Sequence, residues 1–363
     1  MEPESAKNST DIQSTGSQTQ EHQQQFYKPS WFDRFNNWTE NLSLNVWMFH
    51  LMVGILLVVL QVFLLWLEAG SISNELLPVI IFNSLAIPYL LVVILLLDNQ
   101  AGRGIRLMNS VLIFSDREFD QYEYRLINMP VLEPLIAGSV LTVLTILTPL
   151  VSVEPVRYMA LEQLPVFSVV FNIIDKSSAF LLGVLIYHTI RQLRLVNSIY
   201  SNYVRINIYQ LEPLQAFSRL TGSTALSLLV FVYIWMLINP ELFTDPVLIG
   251  YLVVFTLIAI FVFVWPLWGV HGMIEAEKKK ALHDLDLRFE AIFTRFNDSV
   301  DRDDYAANES LNGTITSLQV QQSRLSTVPT WPWSADTARL VLTAIALPLM
   351  LMLLQYFILQ ALN

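Results

Sequence analysis

The chain has 363 residues, of which 54 % are hydrophobic and only 14 % charged, with a mean hydropathy of +0.48, a balance that no ordinary soluble domain shows. It contains no cysteine, which excludes disulfides, thiolate nucleophiles, Cys-ligated zinc and iron–sulfur clusters. The formal net charge of −10 argues against a nucleic-acid partner; the expected partner is the lipid bilayer, and the expected location is the cell membrane as an integral, multi-pass protein.

Residues 1–30 begin with a run rich in Ser, Gln, Thr and Glu and almost without apolar residues, which predicts a disordered N-terminal tail. Trp31, Phe32, Phe35 and Trp38 then recur at helical spacing against Asp33, Arg34, Asn36 and Asn37. That aromatic face suits the headgroup layer, so the segment is expected to float on the membrane without crossing it.

Long apolar runs follow, and about 20 residues suffice to span a bilayer. They predict an all-α, polytopic membrane helix bundle with seven transmembrane helices. Residues 31–270 form the bundle with six spans, 47–67, 76–97, 132–151, 166–190, 222–238 and 247–270. Residues 331–363 add an interfacial Trp segment and the last span, from Leu340 to Leu362. Pro88, Pro149, Pro266 and Pro348 lie in or near the ends of spans, where neighbours must re-satisfy the backbone groups they free.

Basic residues alternate between loops. Lys7, Lys28 and Arg34 precede the first span, Arg103, Arg106, Arg117 and Arg125 follow the second, and Arg191, Arg194, Arg205 and Arg219 follow the fourth. Lys278, Lys279, Lys280 and five arginines precede the last, while the intervening loops hold only Arg157. Because basic residues resist translocation, the N-terminus is expected in the cytoplasm and the C-terminus outside. The outer loops then carry Glu68, Glu75, Glu154, Glu162, Glu241 and Asp245, either a rim that concentrates cations or ordinary solvated charge.

Between the sixth and last spans, residues 271–330 carry two apolar stripes: Leu282, Leu285, Phe289, Ile292, Phe293 and Phe296, then Leu311, Ile315, Leu318 and Leu325. A polar turn separates them, so they predict a cytoplasmic coiled-coil-like hairpin with Phe289, Phe293 and Leu318 buried. Trp331 and Trp333 mark the return to the membrane interface.

The fourth span is the polar one, with Asn172, Asp175, Lys176, Ser177 and Ser178 near its middle. A charge at the centre of a bilayer costs roughly 2.5–3.5 kcal/mol on insertion scales, so it normally faces protein or water. Neighbours on a helix point about 100° apart, which predicts a separate partner for Asp175 and for Lys176. Asn83, Ser84, Gln61, Ser139, Thr142, Thr145, Thr148 and Gln355 are the polar residues of the other spans available for this. The intramembrane polar or conduit site is therefore assigned to Asp175, Lys176, Asn172, Asn83, Thr142, Thr145 and Gln355. The alternative makes Asp175 the N-cap of a shorter span, with the preceding apolar run lying at the interface.

No catalytic residues, metal ligands or cofactor-binding residues emerge. Phosphate loops, His-Glu-x-x-His and Gly-x-Ser-x-Gly are absent, and the last span lacks the lysine a retinal Schiff base needs. His50, His188 and His271 close spans on one side, an arrangement read as ordinary interfacial histidines over a metal or haem site. Asp301-Arg302-Asp303 reads as a solvated turn.

Seven spans, an inner N-terminus, short outer loops, long inner helices and a last helix ending Leu354-Gln355-Tyr356-Phe357 together resemble the insect chemoreceptor class of ion channels in layout. That resemblance implies a channel. The expectation is a channel or small-solute conduit, not an enzyme. The alternative is a membrane-anchored scaffold or signalling protein acting through its hairpin, partnered by a second copy of the chain or by a cytoplasmic protein.

Overall fold

A computed structural model describes residues 27–151, 163–205, 213–239, 246–302, 304–346 and 350. The N-terminal tail before residue 27, the loop residues Glu154, Arg157, Glu162, Glu241 and Asp245, Gln355 and most of the last predicted span lie outside them. Nine α-helices are described: α1 Trp31–Glu40, α2 Val46–Ala69, α3 Leu77–Met108, α4 Asp116–Ile127, α5 Leu132–Leu147, α6 Pro165–Tyr203, α7 Ser218–Ile238, α8 Pro246–Asp301 and α9 Tyr305–Thr327. Residues 335–346 are helical as well. Six stretches are long and apolar enough to cross a membrane: α2, α3, α6, α7 with its preceding turn, α8, and the Asp116–Leu150 stretch through α5. They overlap the first six predicted spans, missing no more than two residues at an end. By length and composition this is the helix set of an integral multi-pass membrane protein.

The burial pattern of α2 supports that class independently. Its buried residues are His50, Gly54, Gln61 and Leu65, which fall on one face. Trp47, Met48, Leu51, Ile55, Leu56, Val59, Phe63 and Trp66 are exposed. A helix with polar and small residues inside and large apolar ones outside is reversed for water and correct for lipid. Helix α5 repeats the pattern, with Gly138 buried and Ile136, Val140, Val143 and Ile146 exposed.

The described chain divides into two packed units, Met1–Asn99 with Ser115–Thr189, and Gln100–Phe114 with Ile190–Asn363. In the first, polar side chains hydrogen-bond between helices: Gln61 Nε2 donates to Ser84 Oγ at 2.6 Å, and Asn83 Nδ2 donates to the Phe171 carbonyl at 3.3 Å. Backbones also approach closely. A Cβ on Gly183 of α6 would lie 2.6 Å from the Ala137 carbonyl oxygen and 2.9 Å from Gly138 Cα of α5, so this crossing exists because both positions lack a side chain.

Helix α1, expected to lie on the membrane without crossing it, also docks on protein. Ser30 and Asp33 form a reciprocal capping box, which starts the helix at Trp31. Phe32 and Asp33 are buried, and Met129 N donates to Asp33 Oδ2 at 2.9 Å. The helix docks on protein because a buried carboxylate and a buried ring bind it there, something a purely periodic reading of its aromatic face does not contain.

In the second unit α7 packs along α8 through Val232, Met236 and Leu252. Val341 and Ile345 of the 335–346 helix pack with Ala225 and Phe263. Four rings stack in sequence, His271 on Trp331 at 3.9 Å, Trp331 on Trp333 at 4.4 Å and Trp333 on Phe263 at 4.8 Å. These rings fasten the Pro329–Trp333 segment to α8.

The C-terminal part of α8 and α9 form an antiparallel hairpin around Leu285, Leu318 and Leu325, with Leu282, Phe289 and Ile292 packed against them. Lys278 Nζ donates to the carbonyls of Ser326 and Val328 at 2.7 and 2.8 Å, satisfying acceptors that the end of α9 leaves open. Phe293 is a correction to the predicted stripe. It is 48 % exposed and touches Phe289 along its own helix, lying outside the seam cluster that Phe289 joins. Leu285→Ala is therefore expected to cost about 2 kcal/mol of local stability and Phe293→Ala less than about 0.5 kcal/mol. Amide hydrogen exchange across residues 305–327 of the full chain checks this; equal effects would mean the seam is placed wrongly.

Candidate functional site

The polar middle of the fourth predicted span lies within one continuous helix. Glu68, at the end of α2, accepts hydrogen bonds from Val166 N at 3.0 Å and Phe167 N at 2.8 Å. A carboxylate there meets the open N–H groups and the positive dipole end of α6. The N-cap role given in the alternative reading to Asp175 thus belongs to Glu68, 98 residues before Val166. Asp175 is an interior residue, the eleventh of the 39 in α6.

Asp175 and Lys176 do not take separate partners. Lys176 Nζ donates to Asp175 Oδ2 at 2.8 Å, with the side chains 29 % (Lys176) and 41 % (Asp175) exposed. The 100° between their Cβ directions is bridged by the long lysine stem, which reaches across where a shorter side chain would not. The pair leaves two ammonium donors unused by Asp175.

A cavity of about 480 Å³ opens beside this pair, within the size range of small-molecule sites. Lys176, Ser177, Phe180 and Leu181 of α6 line it, with Thr142 of α5, Ile87 and Leu91 of α3, and Trp31 and Phe35 of α1. The structure thus brings together two of the assigned residues, Lys176 and Thr142, at one cavity. Thr142 Oγ1 donates to the Gly138 carbonyl at 2.9 Å and Ser177 Oγ to the Ile173 carbonyl at 2.7 Å. Their hydroxyl oxygens remain as acceptors, opposite in character to the ammonium.

The other assigned residues are placed elsewhere. Asn83 is used between helices by the Phe171 carbonyl. Asn172 Nδ2 donates to the Ser168 carbonyl within its own helix at 2.9 Å, and Thr145 Oγ1 to the Thr142 carbonyl at 2.8 Å. Gln355 is outside the described residues.

The buried pair that sequence reading missed is Asp98 with His188. Asp98 Oδ1 and His188 Nε2 are 2.6 Å apart, and the His188 side chain is fully buried. The predicted second span ends at Leu97 because a charge closes the apolar run, but α3 continues to Met108. A polar residue ending each of two long apolar runs was the available signal; the 90-residue separation hid the pairing. The three histidines have separate surroundings. His50 packs against Phe35 and Phe49, His188 meets Asp98, and His271 Nδ1 lies 3.1 Å from the Thr330 carbonyl. Among the described residues no group of three metal-ligating side chains comes together.

Comparison of the chain with protein-family models, with curated proteins and with solved structures finds no match.

Proposed function

We propose that the chain is a conduit for a small solute or ion in the cell membrane, with the Asp175–Lys176 pair and its cavity as the working site. The observation that supports this reading is that Lys176, Ser177 and Thr142, on two different helices, line one cavity when a packed structural role would enclose them. An ammonium and two hydroxyl oxygens on the cavity wall offer a passing solute both donors and acceptors beside the rings of Trp31, Phe35 and Phe180, and the Asp175 carboxylate holds the ammonium from outside that wall. The basic-residue pattern supports an inner N-terminus.

The test is flux through the purified protein in vesicles, with a size series of ions and small neutral solutes. Lys176→Met keeps the stem and removes the charge and donors; it is expected to change selectivity or reduce flux about tenfold or more, since each 1.4 kcal/mol of lost interaction is tenfold. Asn172→Ala, outside the cavity, is expected to leave flux unchanged. Absence of flux for every solute in folded protein would remove the conduit.

A scaffold role is the second reading. Leu287, Phe293, Val300 and Val320 remain exposed on the α8–α9 hairpin, and exposed apolar residues on a helical pair fit a partner surface. Co-purification of a defined partner lost on Phe293→Asp would favour it.

A further inference from the structure

We propose that the first half of α6 carries a self-association face, on which a second copy of the chain docks within the membrane through Asn172 and the Asp175–Lys176 pair. Each copy keeps its own Lys176 cavity, so this surface stands apart from the conduit.

Val169, Asn172, Ile173 and Lys176 follow the spacing i, i+3, i+4, i+7 and share one face of α6. Val169 and Ile173 are each 60 % exposed, and Asn172 is exposed with them. The opposite face, with Phe167, Phe171, Ile174 and Ser178, is buried. Asn172 and Lys176 lie about 10–17 Å along the helix from Pro165 at 1.5 Å per residue. That is inside a hydrocarbon core of about 30 Å, in a stretch long and apolar enough to cross one.

Lipid tails suit Val169 and Ile173 but offer the polar groups nothing. Asn172 bonds only through Nδ2, which donates to the Ser168 carbonyl at 2.9 Å and to Ser168 Oγ at 3.4 Å, so Oδ1 is left as an acceptor at bilayer depth. Lys176 donates once, to Asp175 Oδ2 at 2.8 Å, which leaves two ammonium hydrogens. Both charged side chains are partly exposed. Polar groups exposed to hydrocarbon are costly, and hydrogen bonds between helices relieve them.

This set of groups is complementary to itself. A two-fold axis along the membrane normal runs α6 parallel to its copy and sets each residue level with its counterpart. Asn172 then meets its counterpart, each carboxamide donating to the other's Oδ1 in place of the long contact to Ser168 Oγ. Asparagine at a helix seam fixes register and partner number in this way. One turn further on, two carboxylates and two ammoniums alternate, so each charge keeps its own partner and gains the copy's. A foreign protein would need the same polar groups at the same depth; a second copy supplies them by symmetry.

The natural chain has no cysteine, so Val169→Cys and Ile173→Cys each place a single thiol on the face. The experiment oxidises full-length protein in vesicles at low protein-to-lipid ratio and measures disulfide-linked dimer. Leu56→Cys, 66 % exposed on α2, reports random collision. Dimer yield at both face positions is expected to exceed that of Leu56→Cys severalfold. Adding Asn172→Leu or Lys176→Met is expected to weaken association about threefold to thirtyfold, the range of polar contacts between membrane helices. Val169→Trp, which blocks the face and keeps every polar group, is expected to lower the yield at Ile173→Cys as well. Yields no higher than at Leu56→Cys, or yields that Asn172→Leu and Val169→Trp leave unchanged, overturn the pairing. So does a purified monomer that holds lipid on this face. Flux is read at no step, so a protein that carries nothing loses the conduit and leaves this test intact.

Discussion

His188→Leu is expected to destabilise the protein by about 3 kcal/mol or more, because it strips a buried carboxylate of its imidazole partner. The pair is 2.6 Å apart, with the His188 side chain wholly buried and that of Asp98 10 % exposed. Breaking such a pair on one side leaves a charge that burial penalises, whereas removing both sides is often neutral or stabilising. The double variant Asp98→Leu/His188→Leu should therefore be more stable than His188→Leu alone, with a coupling of about 1 kcal/mol or more between the two sites. Thermal unfolding in detergent, followed by tryptophan fluorescence, checks the order. A double variant as unstable as the sum of the singles would show that the two side chains do not depend on each other.

Gly183→Ala should cost about 1–3 kcal/mol, and Gly183→Leu more, through overpacking at the crossing of α5 and α6. The added Cβ would sit 2.6 Å from the Ala137 carbonyl oxygen, and the next atoms it meets are Gly138 Cα and the Ala137 carbonyl carbon. All of these are backbone, so no rotamer change relieves the clash and the helices must separate. The Phe180 ring lies over Gly138 at the same place and lines the cavity, so separation would also move a cavity wall. Gly313→Ala is the control. Its Cβ would meet nothing within 4 Å, and in a helix interior alanine is better than glycine by roughly 0.5–1 kcal/mol. Similar changes in unfolding temperature for both variants would place the helix crossing elsewhere.

Some of the cavity lining was legible in one dimension. Lys176 and Thr142 were singled out as polar residues in apolar runs, and the structure puts both on one cavity. Trp31 and Phe35 were read as an interfacial face, and their second use as cavity wall was not visible, because helical periodicity tells which residues share a face but not what that face meets. Asn83 and Thr145 look the same as Thr142 in sequence. They differ in lying off the cavity lining: Asn83 donates to a neighbouring helix's carbonyl, and Thr145, like Thr142, donates to its own backbone.

What the sequence by itself determined is the class of solvent and the local segments. Apolar runs long enough for a bilayer and two stripes around a polar turn set six candidate spans and the α8–α9 hairpin, since burial of periodic faces is decided locally. Tertiary structure alone decided who neutralises whom. Glu68 caps α6, Asp98 meets His188, Asp33 fastens α1 to Met129, and Lys176 turns to its own neighbour. Three of these four contacts join residues 90 or more positions apart. The physical reason is that a buried charge takes whatever donor or counter-charge the fold brings within reach, and hydrophobic patterning does not encode that distance.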